Sequence, residues 1–305
     1  MDPQPADDRF PVDQLQVGDL LLMLGKSQLS KLIAWFGDSR YSHVSLVSAD
    51  GLLIEGIRPA VKESLLADRL APDGPVVFVD AYRSLAADGG PLGADDRAIV
   101  LRHARSLIGT TFAQDDLVTI GLLVALRGKP RHLPVWLRWL IREATEHAIR
   151  ADSDRMLCSE FAYRAFADAD TTPARRLARP IVPGEPSDLP FPDVDYAKLQ
   201  EEVREMLKPK HKVLEQNAIG AEALAGSAPV WDTIDALELD DDALEASITA
   251  LRAQVGLAAP HHADVANAAE GLLGAAWPER GPPNPKLVRP RDLADSPASQ
   301  FLGRL

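Results

Sequence analysis

The dipeptide Asp50-Gly51 most narrows how this chain can fold. It separates His43-Val44-Ser45-Leu46-Val47, which alternates like a half-buried strand, from the apolar run Leu52-Leu53-Ile54-Glu55-Gly56-Ile57. Asp-Gly between two such runs is a strong signal for a tight hairpin turn. The two strands then pair antiparallel, and residues roughly equidistant from the turn face each other. His43 stands seven to eight residues before the turn and Glu55 four to five after it. They become neighbours in the sheet, though not directly opposite unless a bulge shifts the register. Glu55 also interrupts an apolar strand, which sits poorly with a plain surface position.

The flanking segments extend this hairpin into a mixed architecture. Leu20-Leu21-Leu22-Met23-Leu24, bounded by Gly18 and Gly25, reads as a buried strand, and Val76-Val77-Phe78-Val79 as another. Ser27 or Ser30 caps a short helix carrying Leu29, Leu32, Ile33 and Phe36, which Gly37-Asp38-Ser39 breaks. Asp95-Asp96 opens a helix with Ile99, Val100, Leu107 and Ile108, stopped by Gly109. Residues 117–126 are apolar all round, and Pro134 starts a helix reaching about residue 149. A further helix begins at Cys158, with Phe161, Ala162, Ala165 and Phe166 inward. After residue 171 the prolines multiply. Residues 195–208 and 240–256 then read as acidic helices and 261–277 as an alanine-rich one. Leu287 to Leu293 reads as a last strand or edge returning to the core. The pattern divides into an N-terminal arm (1–16), a core (17–194), a helical insertion or cap (195–285) and a C-terminal segment (286–305).

Bulk properties exclude several function classes. A formal net charge of -12 argues against a nucleic-acid partner, which needs a basic face. One cysteine in 305 residues cannot form an internal disulfide. No run approaches the roughly 18 apolar residues that span a bilayer, and the start Met1-Asp2-Pro3-Gln4-Pro5 is unlike the basic start of a secretory signal. A cytoplasmic location is the default expectation, with export lacking a cleaved signal left open. The other histidines show no metal-ligand spacing, so neither a metal nor any cofactor is expected. Oligomeric state is not readable.

Cys158, His43 and Glu55 carry the chemistry. A cysteine in the first turn of a helix feels the positive end of the macrodipole and unpaired backbone N–H groups. Both favour thiolate, the attacking species, and the same N–H groups can receive an oxyanion. A histidine beside it takes and returns the proton, and a carboxylate on the other ring nitrogen fixes the tautomer. The competing reading is plain packing: a lone cysteine is most often a small buried hydrophobe, and a glutamate in a strand usually faces water.

These residues fall in runs that resemble a known family. Gly18-Asp19-Leu20-Leu21, Ser39-Arg40-Tyr41-Ser42-His43-Val44, Ile54-Glu55-Gly56 and Cys158-Ser159-Glu160-Phe161 stand in the order found in the circularly permuted papain-like hydrolases of the NlpC superfamily. This is the YiiX-like and lecithin:retinol acyltransferase-like group, in which the histidine precedes the cysteine. Pro290-Arg291-Asp292-Leu293-Ala294-Asp295-Ser296-Pro297 resembles the family's closing signature. The resemblance implies an α+β fold: a permuted papain-like core, its antiparallel sheet packed on the nucleophile helix, with a helical insertion near the C-terminus. It implies Cys158 as nucleophile, His43 as base and Glu55 as the third polar residue, with Tyr41 and Ser159 near the oxyanion and substrate. Some members place a second histidine where Glu55 stands.

The implied activity is cysteine-dependent hydrolysis or acyl transfer at an ester or amide bond. From Leu117 to Arg142 there is no acidic residue, while Arg127, Lys129, Arg131, Arg138 and Arg142 are basic. Trp136, Trp139, Arg138 and Arg142 fall largely outside the apolar stripe of that helix, as in helices that sit at lipid headgroups. This favours a lipid-like substrate and peripheral membrane contact; packing of both tryptophans under the cap helices is the alternative. A cell-wall peptide amidase or endopeptidase, delivered as a toxin, and a non-catalytic ligand-binding module are the competing functions.

Overall fold

The computed structural model describes residues 9–57, 59–111, 138, 141, 144–145, 156–182, 189–195, 197–199, 201–202, 241–254 and 283–305. The apolar run 117–126, nearly all of the helix expected from Pro134, and the helix expected over 261–277 lie outside them. The fold is α+β. Six antiparallel strands form one sheet in the order β4-β3-β2-β1-β5-β6. They are β1 (Leu20–Gly25), β2 (His43–Ala49), β3 (Leu52–Ile57), β4 (Ala60–Leu65), β5 (Val76–Ser84) and β6 (Ser299–Arg304). The described helices are α1 (Gln28–Phe36), α2 (Leu66–Leu70), α3 (Ala94–Ser106), α4 (Cys158–Ala167), α5 (Asp241–Gln254) and α6 (Pro290–Ala294). None is long and apolar enough to cross a membrane.

The side-chain alternation of the strands builds two cores. On one face Leu20, Leu22, Val44, Leu46, Ile54, Val61 and Tyr82 pack with Phe161, Ala162, Ala165 and Phe166 of α4 and Val100 and Ala104 of α3. On the other, Leu21, Met23, Val47, Leu53, Val79 and Ala81 pack with Leu66 of α2 and the chain's Leu305. β1 is buried at Leu20 through Met23 because it is central and covered on both sides.

Several elements differ from the sequence reading. Asp95 and Asp96 lie within the first turn of α3 and favour the helix dipole there, while Gly93 is the cap residue. The segment expected as a last strand, Leu287 to Leu293, instead contains α6, and the last strand is β6. Pro290 at its first turn has the preset helical φ, and the Asp292 carboxylate accepts the Arg289 backbone N–H at 2.8 Å. Arg289 and Arg291 then tie α6 to the turn after α1. Arg291 Nη1 donates to Asp38 Oδ2 at 2.7 Å, and Arg289 Nη1 donates to the Gly37 carbonyl at 3.4 Å. That turn leads directly into β2. At the start of α1, the Glu202 carboxylate accepts from the backbone N–H groups of Gln28 and Leu29, both at 2.9 Å. The described start of the N-terminal arm lies along β6: Arg9 bridges Arg304, and the Phe10 N–H donates to the Arg304 carbonyl at 2.7 Å.

Candidate active site

A β-bulge decides which residues share the site. With Asp50-Gly51 as the turn, an unbroken ladder would set Glu55 opposite Leu46, on the face away from His43. Instead Ala49 pairs with Leu52 and Val47 with Leu53, leaving Ser48 as the extra residue. One residue of slip exchanges the two faces of a strand. Glu55 therefore stands opposite Ser45, and His43, two residues earlier, shares that face as a diagonal neighbour.

Glu55 is wholly buried and saturated with donors. It accepts from His43 Nε2 at 2.8 Å and Ser45 Oγ at 2.6 Å, and from Ser64 Oγ of β4 and Nη2 of Arg69 of α2. Burial alone would raise its carboxyl; the His43 contact, the Arg69 charge and Ser45 outweigh it and hold Glu55 well below the usual carboxylate range. An ionised carboxylate only accepts, so His43 Nε2 carries a proton and Nδ1 is left for its other partner.

Cys158 stands beside the His43 ring, close enough to act on its charge. Burial disfavours the imidazolium, but the adjoining Cys158 and then Glu55 reverse this and push His43 up to about 10. Each residue opens its element: His43 is the first of β2, and Cys158 is the first of α4. Leu157 before it is extended (φ -86°, ψ 160°), and its backbone N–H donates to the Glu160 carboxylate at 3.3 Å. Cys158 is nearly buried at 8% exposure, while the His43 side chain keeps 19%, so the pair opens to solvent on the histidine side.

The remaining expected residues are placed as follows. Ser159 is buried at the second position of α4. Tyr41 is buried in the core cluster that also holds Cys158. Its hydroxyl donates to Asp80 Oδ2 at 3.0 Å and lies 2.7 Å from the Tyr82 hydroxyl, and burial pushes both phenols up. Arg138 is half-buried; Trp136, Trp139 and Arg142 lie outside the described residues. Among the described residues, no three His, Cys, Asp or Glu side chains are grouped to hold a metal ion. Sequence reasoning missed Ser45, Ser64 and Arg69. Ser45 was within reach, being two residues from His43 on an alternating strand. Nothing local marks Arg69, which reaches Glu55 only through the sheet.

No protein-family model matches the chain, and no curated protein matches it. Among solved structures, it is similar to the metalloprotein yiiX (DUF1105) from Escherichia coli O157:H7. The match has a TM-score of 0.35 and 17% identity over 63% of this chain and 82% of that one.

Proposed function

We propose that the protein is a cysteine-dependent hydrolase or acyltransferase that cleaves an ester or amide acyl bond through a thioester on Cys158. The observation that carries this reading is the relay from Cys158 at the head of α4, through His43, to a fully ionised and immobilised Glu55. The sulfur attacks the carbonyl carbon, and the α4 backbone N–H groups face the developing oxyanion. The tetrahedral intermediate collapses as the His43 imidazolium protonates the departing amine or alkoxide, leaving the thioester. His43, now neutral, takes a proton from water or an acceptor alcohol or amine. That nucleophile attacks the thioester, and the proton returns to the sulfur as the acid, ester or amide leaves.

A lipid-like acyl donor fits best, on the acid-free, arginine- and tryptophan-bearing stretch from Leu117 to Arg142. Labelling of Cys158 by a neutral electrophile at pH 7, followed by intact mass, tests the catalytic reading. His43→Ala is expected to slow labelling by roughly 10²-fold. Equal rates in the two proteins would overturn it. Incubation with lipid extract and, separately, with cell-wall fragments then reads the substrate class from the mass of the Cys158 adduct.

A further inference from the structure

Across the sheet from His43 lies a second group of polar residues that the proposed acyl chemistry does not use. Val44, next to His43 and on the sheet face that α4 covers, pairs with Leu22, and Leu22 pairs with Asp80, so Asp80 stands two strand spacings from the start of β2, about 10 Å. Phe78, Asp80 and Tyr82 alternate onto the face of β5 that α4 covers. Asp80 is 1% exposed, and its charge is shared by two arginines. Arg304 of β6 donates to it at 2.8 and 3.2 Å, and Arg40 stands off at 3.7 Å. The Tyr41 hydroxyl takes a further lone pair. Both guanidinium groups lie over the Phe78 ring, Arg304 at 4.1 Å and Arg40 at 5.3 Å from its centroid. The side chains of Arg40 and Arg304 remain 59% and 43% exposed. Asp295, whose charge also reaches Tyr82, is held by Arg291 at 2.8 Å. Two cations therefore meet one buried carboxylate, and one positive charge is left facing solvent in a chain of net charge -12.

We infer that Arg40 and Arg304, both lying against Phe78, form a subsite centred on Asp80 for an oxyanion carried by the acyl substrate, a carboxylate or a phosphate, two strand spacings (about 10 Å) across the sheet from the start of β2 that carries His43. The inference rests on the proposed role of Cys158 for its orientation. Arg40 is the less tethered arm, 3.7 Å from Asp80 and set over Tyr41 (5.7 Å) and Phe78. Arg304 is the fixed one, since Asp80 holds its guanidinium in two places. The Phe78 ring supplies an apolar floor for the chain linking the anion to the reacting bond.

The test uses three maleimides whose tethers of about 10 Å end in a neutral amide, a carboxylate or a phosphate. Their rates of Cys158 labelling are compared by intact mass of the full chain. The anionic tails are expected to react faster than the neutral one. That advantage should fall about three- to tenfold in Arg40→Ala, invert in Arg40→Glu, and shrink with added salt. Arg40 is exposed enough for both variants to fold. A larger loss for the phosphate tail assigns the subsite to phosphoesters, and a larger loss for the carboxylate tail to carboxylates. Anion-to-neutral rate ratios that are the same in wild type and both variants would overturn the inference. Neutral-tail labelling that does not depend on His43 would instead sink the catalytic role, so the two failures are distinct.

Discussion

At the residue scale, Glu55 is the most constrained side chain. A carboxylate with no solvent contact needs its charge met from within, and His43, Arg69, Ser45 and Ser64 do so together. Removing one buried partner strands a charge. Arg69→Met is therefore expected to cost about 3–5 kcal/mol of folding stability, read by denaturant unfolding. Glu55→Gln removes the charge itself and with it part of what keeps His43 protonated. The His43 titration, followed by NMR of the ring protons, should fall from about 10 towards the ordinary histidine range in Glu55→Gln. Cys158→Ala should lower it as well, because Cys158 is the larger of the two raising influences. A titration in either variant unchanged from wild type would mean the relay does not exist as drawn. His43, Glu55 and Cys158 were legible in the sequence because each is an unusual residue type for its local pattern. Arg69 was not, because a lone arginine in a short polar stretch looks like any surface residue.

At the element scale, the hairpin was legible and its register was not. Asp50-Gly51 announces the turn, but the extra residue at Ser48 leaves no mark in the local pattern. Ser48 is 1% exposed and sits within hydrogen-bond distance of Glu63 at 3.4 Å. Deleting Ser48 is expected to close the bulge while leaving Ser45 opposite Glu55, so His43-dependent labelling of Cys158 should survive. Loss of that labelling in a folded deletion variant would show that the bulge sets more than register. β4 and α2 escaped the sequence reading for physical reasons. Ala60-Val61-Lys62-Glu63-Ser64-Leu65 is an edge strand whose exposed positions, Lys62, Glu63 and Leu65, follow no alternation of apolar and polar residues, and a five-residue helix is too short to show a period. The helix of Cys158 was easy to read because its apolar face repeats at helical spacing. Phe161 in that face is fully buried, and Phe161→Ala should cost about 3–5 kcal/mol by thermal or denaturant unfolding.

At the scale of the whole molecule, the buried His43–Glu55 pair makes stability depend on pH from both sides. Glu55 is held below its ordinary range, so its contribution is present above about pH 4.3 and is lost as pH falls below that. His43 is raised, so its contribution is complete below about pH 6.5. It is lost as pH climbs towards about 10. Thermal unfolding should show a plateau between these limits and a decline on each flank, with the acid flank flattened in Glu55→Gln. The α+β architecture was legible from alternating strands and capped helices. The joining of α6 to the turn before β2 was not, since Arg291 and Asp38 lie 253 residues apart. The sheet ends in two edge strands, β4 and β6, and an edge strand is a potential template for another molecule's backbone. β4 presents exposed Lys62 and Glu63 and is bridged at Ala60 and Val61 by Gly109 to Thr111. β6, whose Phe301 is 56% exposed, is met at its end by the arm at Arg9 and Phe10. The arm already pairs with that end of β6, leaving fewer backbone groups there for another strand, so a protein trimmed to begin at residue 17 is expected to show more concentration-dependent aggregation by light scattering than the full chain.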